Sequence, residues 1–153
     1  MKTADALQMT SFASPQQQLA LTILYTASQM LNRHRTLLKP HGITPEQFNI
    51  LRILRGQHGQ PIALRDISER MIDRSSNTSR LIDKLVNKQL VLRESCPEDR
   101  RRVDILLTKK GVALTEQLTN IMDTEMSLLE KVWSTPQALA AAEALDAWNE
   151  SQL

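Results

Sequence analysis

The chain has 153 residues, of which 41% are hydrophobic and 24% charged, with a formal net charge of +2; this balance fits a globular, soluble protein of one domain, or a small domain with a helical extension. No segment approaches the roughly 18 consecutive apolar residues of a membrane span, which excludes membrane crossing. A single cysteine, Cys96, excludes an intrachain disulfide framework, and with no export signal at the N-terminus a cytoplasmic location is expected.

Residues 1–14 read as a flexible N-terminus of mixed polarity. Ser14-Pro15-Gln16-Gln17 and Thr44-Pro45-Glu46-Gln47 both fit a capping box with proline at the first helical position, and Thr135-Pro136 repeats the cap without the box. Helices are therefore predicted from about positions 15, 45 and 136. The first carries Ala20, Ile23, Ala27, Met30 and Leu37, flanked by Leu24, Leu31 and Leu38, a stripe too wide for a lone surface helix and one that invites a partner. The second buries Phe48, Leu51, Ile53 and Leu54 and ends at Gly56–Gly59; Pro61–Leu64 supplies one short strand. A third helix covers Leu64–Met71 with Ile67 and Met71 inward.

A fourth helix starts near Ser75 or Ser76, either of which can cap it. Thr78, Leu81, Ile82 and Leu85 form its buried stripe, with Ser76, Ser79, Arg80, Asp83 and Asn87 on the opposite face. Val91–Ser95 and Val103–Leu107 read as two strands around an arginine-loaded turn, Pro97–Arg102. Thr108 caps a fifth helix running through Leu114, Leu118, Ile121, Met122, Leu128, Leu129 and Val132, and a last helix holds Leu139, Leu145 and Trp148. The expected order is α-α-β-α-α-β-β-α-α.

Charge follows this layout. Residues 65–111 hold twelve Lys/Arg against eight Asp/Glu, and residues 112–153 hold one against seven. A basic middle and an acidic tail suit a centre that faces phosphate, although two solvated faces of opposite sign would give the same count. The fourth helix and the arginine hairpin together suit a duplex, the helix in the major groove and the hairpin beside a minor groove. At the helix start, Ser75, Ser76, Asn77 and Ser79 present short polar groups where free backbone N–H groups attract phosphate. Asn77 can read adenine and Arg80 guanine through bidentate bonds, and Lys84 suits a phosphate. The competing reading makes the serines simple caps and pairs Arg80 with Asp83 or Asp104.

The segment Ile62–Gly111 resembles the winged helix-turn-helix of the MarR family of bacterial transcriptional regulators. Pro97-Glu98-Asp99-Arg100-Arg101, followed by Val103-Asp104-Ile105-Leu106-Leu107-Thr108 and Gly111, mirrors that family's wing, a DxRR-like tip leading to an LTxxG helix start. Ser79-Arg80-Leu81-Ile82-Asp83-Lys84-Leu85 is similar to its recognition helix. The resemblance implies a mainly α fold with a small β-wing, flanked by N- and C-terminal dimerisation helices. It places the helical dimerisation region at 15–40 and 112–153 and the DNA-binding domain at 44–111. It further implies that Arg101 enters the minor groove, flanked by Arg100 and Arg102, with Asp99 orienting it by an ion pair. A pocket for an aromatic or phenolic effector is implied too, with Met30, His34, Leu37, His41 and Phe48 as candidate lining; these are equally core residues.

Three positions depart from the family pattern. Gln89 stands where glycine is usual, Ala63 replaces a capping Ser or Thr, and Asp73-Arg74 replaces a more apolar turn. A left-handed Gln89 or an uncapped helix would each cost about 1 kcal/mol.

The expected function is that of a homodimeric repressor on a palindromic double-stranded DNA operator, released by a small molecule, with two recognition helices about 34 Å apart. The alternative is a winged-helix protein-interaction module without DNA binding. No nucleophile–base set, HExxH or phosphate-cradling glycine loop is present, so an enzyme is not expected. His34, His41 and His58 share no metal-ligand spacing with Cys96, so neither metal nor cofactor is expected. His34 reads as a hydrogen-bonded interface histidine. Cys96, beside the arginines, is either a small strand-end residue or an oxidation sensor.

Overall fold

A computed structural model of the protein describes residues 2–95 and 103–151. Cys96 and the wing tip with Asp99, Arg100, Arg101 and Arg102 lie outside the described residues. The elements are α1 (Thr3–Ala6), α2 (Pro15–Leu38), α3 (Pro45–Arg55), β1 (Ile62–Ala63), α4 (Leu64–Glu69), α5 (Thr78–Asn87), β2 (Val91–Ser95), β3 (Val103–Leu107), α6 (Lys109–Met126) and α7 (Thr135–Glu150). Short 3-10 turns occur at Lys39–His41 and Leu129–Lys131.

The first two proline-marked helix starts carry side-chain caps, but at α2 the expected box is not reciprocal, because Gln17 reaches the Ala13 rather than the Ser14 N–H. Ser14 Oγ accepts the Gln17 N–H at 3.1 Å, and Gln17 Oε1 accepts the Ala13 N–H at 2.7 Å. At α3 the box is reciprocal, with Thr44 Oγ1 and Gln47 Oε1 each accepting the other's backbone N–H at 3.3 Å. Helix α2 ends where Pro40 withdraws a donor, and Gly42 then turns the chain at φ +66°. There the Ile43 N–H closes onto the Leu38 carbonyl at 3.3 Å. Helix α4 starts at Ala63 without a side-chain cap, as its residue type dictates.

The sheet is antiparallel in the order β1-β3-β2, with Val91 opposite Leu107, Ser95 opposite Val103, and Ile62 opposite Ile105. Two strands of a hairpin alone would be marginal; β1 adds a third, and the sheet closes on helices. The chain divides into two compact units, Met1–Thr115 and Glu116–Leu153. In the first, Leu38 of α2, Ile50 and Leu51 of α3, Ile67 of α4, Ile82 and Leu85 of α5, and Ile105 of β3 are fully buried. Each such side chain contributes about 1.5–3 kcal/mol of transfer free energy, so this shared core fixes α5 against α3, α4 and the sheet.

The second unit holds the C-terminal part of α6, a 3-10 turn and α7. Helix α7 buries none of its residues within the chain; Leu139 is 59% and Trp148 64% exposed, and Trp133 ahead of it is 44% exposed.

Four local expectations are corrected. The fifth helix does not run to Val132: α6 stops at Met126, where Leu128, Glu130, Lys131 and Val132 donate three residues back, a tighter winding than the α-helix. The last helix is started by Ser134 rather than Thr135, since Gln137 Oε1 accepts both the Ser134 N–H at 3.0 Å and its hydroxyl at 2.9 Å. Ile53 and Leu81 are half-buried rather than core, because each sits at the border of its helix's apolar stripe. Residues Thr3–Ala6 form a helical turn that no sequence signal announced.

Candidate nucleic-acid interface

The turn between α4 and α5 is tied down before α5 begins. The Ile72 N–H donates to Asn49 Oδ1 of α3 at 2.9 Å. Asp73 gathers the next residues: its Oδ1 accepts the Ser75 N–H at 2.9 Å and the Ser75 hydroxyl at 2.6 Å, and its Oδ2 accepts the Ser76 hydroxyl at 3.1 Å. These donors, the Ser75 hydroxyl foremost, hold the Asp73 carboxyl below the usual carboxylate range. The two serine hydroxyls thus face Asp73, and the helix takes its cap elsewhere. Asn77 supplies it: its Oδ1 accepts the Arg80 N–H at 3.0 Å, and helix α5 starts at Thr78.

This assignment bears on readout. A bidentate contact to adenine needs the amide oxygen as acceptor and the amide nitrogen as donor. The Asn77 oxygen already serves the helix, leaving one lone pair for a base. Ser76, Asn77, Arg80, Leu81 and Lys84 line an open groove of about 270 Å³ together with Glu46 of α3, a residue that sequence reasoning passed over. Asn77, Arg80 and Lys84 are exposed, as are Ser75 and Ser79 outside that lining.

Ser79 is engaged differently. Its carbonyl and hydroxyl oxygens each accept from an Arg93 guanidinium nitrogen at 3.3 Å, and that nitrogen lies 2.9 Å from Asp83 Oδ1. Asp83 thus pairs with Arg93, and not with Arg80 as the competing reading of the helix had it. No spacing rule could have shown this, since Arg93 sits on a strand ten and fourteen residues beyond its partners.

The other end of α5 is held by backbone geometry. Gln89 adopts φ +59°, the left-handed conformation that the usual glycine would take, so the substitution leaves the helix exit unchanged. The Leu90 N–H closes onto the Leu85 carbonyl at 3.0 Å and the Gln89 N–H onto Val86 at 2.8 Å, with Leu85 and Leu90 buried together. Thr108 then couples this exit to α6. Its N–H donates to the Leu90 carbonyl at 3.1 Å, its hydroxyl donates to the Gln89 carbonyl at 2.8 Å, and the same hydroxyl accepts the Gly111 N–H at 2.9 Å. A Cβ on Gly111 would lie 2.0 Å from the Leu90 carbonyl oxygen, so only glycine fits.

Lys88 adds a longer tie, its Nζ donating to the Gly42 carbonyl and to Gln47 Oε1 at 3.1 Å. Burial, with Lys84 nearby, pushes its pKa below the usual lysine value.

Among the candidate pocket residues, Met30, His34, Leu37 and His41 are half-buried and Phe48 is 6% exposed. The Arg52 guanidinium lies 6.0 Å from the Phe48 ring centroid. His34 Nε2 is buried and has no hydrogen-bond partner among the described residues of its own chain.

Residues 43–103 match the sequence model of the MarR family. Along the chain, similarity extends further: it is 30% identical over 97 residues to the HTH-type transcriptional regulator MhqR of Bacillus subtilis, covering 63% of this chain and 66% of that protein. The chain belongs to the MarR family. It is also 28% identical over 122 residues to the transcriptional repressor MprA of Escherichia coli K12, covering 78% of this chain and 68% of the repressor. It thus spans about two thirds of the length of these curated relatives. The fold superposes on an S. aureus MepR–DNA complex with a TM-score of 0.80 over 92% of this chain and all of that one, at 23% identity. A wild-type MarR of E. coli in its apo form gives a TM-score of 0.64 at 25% identity, covering 82% of this chain and 92% of that one. The fold is accordingly the winged helix of MarR-family transcriptional regulators. No helix among the described residues is long and apolar enough to cross a membrane.

Proposed function

We propose that this MarR-family protein is a sequence-specific, double-stranded-DNA-binding transcriptional regulator that acts as a homodimer and represses from a palindromic operator. The observation that carries this reading is the groove at the start of α5, where Asn77, Arg80 and Lys84 stand exposed on a helix whose buried face is locked to the core. Arg80 supplies a fork for guanine O6 and N7, and Lys84 a point charge for phosphate. Ser75 and Ser76, ordered by Asp73, and Ser79, ordered by Arg93, shape the approach to phosphate. Asp99, Arg100, Arg101 and Arg102 are assigned to the wing's minor-groove contact on the sequence resemblance alone.

Residues 44–111 form the reading domain, and residues 15–40 with 112–153 the dimerisation region; the exposed Leu139 and Trp148 of α7 and Leu19 and Leu24 of α2 are apolar surface that a second copy would cover. Residues Met30, His34, Leu37, His41 and Phe48 are the proposed effector site for an aromatic or phenolic anion. The protein works in the cytoplasm, by binding rather than by catalysis.

The test is selection of bound sequences from a random duplex pool, with titrations at several salt concentrations. An inverted repeat with half-sites one helical turn apart, bound with a steep salt dependence, is the expected result. Salt-independent failure to bind any duplex would overturn the reading, and a monomeric mass at micromolar concentration would overturn the dimer.

A further inference from the structure

We propose that Arg93 is a positioning residue for sequence readout: from the strand that leads into the wing it clamps the first turn of α5, and so fixes the angle between recognition helix and wing. The proposal rests on the DNA-binding reading above.

The geometry is that of one guanidinium spanning one helical turn. Ser79 and Asp83 are four residues apart and therefore share a face of α5. One Arg93 nitrogen serves the Ser79 carbonyl and hydroxyl, each at 3.3 Å, and the Asp83 carboxylate at 2.9 Å. Arg93 itself is fixed in the sheet, opposite Ile105 of β3. The clamp thus links the element carrying Arg80 and Lys84 to the element carrying the wing, at the end of α5 opposite to the Gly111 junction.

Its value is geometric rather than energetic. The Arg93 side chain is 34% exposed and Asp83 56% exposed, so water screens the pair and its contribution to global stability is small. A pair that adds little to stability still selects one orientation, because one terminal guanidinium nitrogen reaches all three acceptors only when helix and strand lie at a set distance and angle. Two reading elements on one duplex need that angle, since a misaimed helix loses base contacts while phosphate contacts adapt. The clamp also orients Ser79, exposed at the helix start: its hydroxyl oxygen accepts from Arg93 and keeps its own O–H to donate. Lysine is a poorer substitute, because its strongly hydrated, freely rotating ammonium does not fix the in-plane direction that the guanidinium gives the N–H groups of this nitrogen.

The experiment compares wild type with Arg93→Ala, Arg93→Lys, Asp83→Asn and the Arg93→Ala/Asp83→Asn double variant. Affinity is measured on the selected operator and on random duplex, together with salt slopes and thermal melts. Arg93→Ala is expected to lose about tenfold on the operator while random-duplex affinity, salt slope and melting temperature stay near wild type. Arg93→Lys should recover only a minor part of the loss, and the double variant should be no worse than the weaker single one. Operator affinity equal to wild type would overturn the assignment. Equal losses on operator and random duplex, with a shallower salt slope, would overturn it in favour of a direct phosphate contact. A wild-type protein that binds no duplex removes the DNA reading and this proposal with it; a wild type that binds beside an unchanged variant removes the role of Arg93 alone.

Discussion

At the start of α5 the groups are short, polar and exposed, and side chains hold them: Asp73 on two serines, Asn77 on the Arg80 N–H, Arg93 on Ser79. At the end of the same helix the groups are buried or backbone, and main-chain geometry holds them, through a left-handed Gln89 and a Leu90 carbonyl pressed against Gly111. Side-chain bonds near water exchange easily for bonds to a ligand, whereas a close backbone contact has no substitute. The helix is anchored at one end so that the other can be spent on recognition.

The largest expected effect lies at the anchored end. Gly111→Ala forces a Cβ to 2.0 Å from the Leu90 oxygen, 3.0 Å from its carbonyl carbon and 3.2 Å from Leu107 Cδ2. Leu90 cannot retreat without breaking the helix exit and the Thr108 bond, so a loss of about 3 kcal/mol or more is expected in urea unfolding. A loss below ~1 kcal/mol would mean that the junction yields, and the contrast between the two ends would collapse.

At the open end, Asn77→Ala should cost about 1 kcal/mol through the lost cap and should also change the preferred operator sequence. Asn77→Asp separates these roles. It keeps the capping oxygen and most of the stability, but sets an anion at the reading face and weakens every duplex. Stability lost equally in both variants would show that the cap is not what holds the helix start.

Smaller and of opposite sign is Gln89→Gly, expected to stabilise by about 0.5–1 kcal/mol, because glycine takes φ near +59° without a Cβ penalty. DNA affinity should not change.

The smallest effect is an acid one. The Asp73 carboxyl sits below its ordinary pKa, so the unfolded chain binds its proton more readily than the folded one. Its contribution is present above the ordinary carboxylate range and is lost as pH falls through the lowered value. Asp73→Asn should therefore flatten the acid limb of a stability–pH curve by lowering its neutral plateau slightly, while stability below the lowered value stays near wild type.

Much of this was legible in the sequence wherever a local rule decided the outcome. Thr44 and Gln47 announce their box, and Thr108 and Gly111 their helix start, whereas Gln89 in place of glycine hides its left-handed turn. Failures came where several residues competed for one role or where partners were distant. Ser75, Ser76 and Asn77 all qualify as caps, and only the bond from the Arg80 N–H to Asn77 Oδ1 decides among them. The apolar residues Leu128, Leu129 and Val132 continue a helical pattern past Met126, so periodicity alone could not report the 3-10 turn. Arg93 and Lys88 bridge elements, Lys88 reaching back to Gly42, and no sequence window contains both ends of such a contact.

The chain has two tryptophans, and both, Trp133 and Trp148, lie in the Glu116–Leu153 unit with much of their surface in water. The segment 44–111 has none. Intrinsic fluorescence is thus a built-in optical reporter of whatever shields the C-terminal unit, since self-association that covers the indoles should shift their emission to the blue. A labelled duplex can then follow the reading domain at another wavelength, and the two events can be timed against each other without adding a label to the protein.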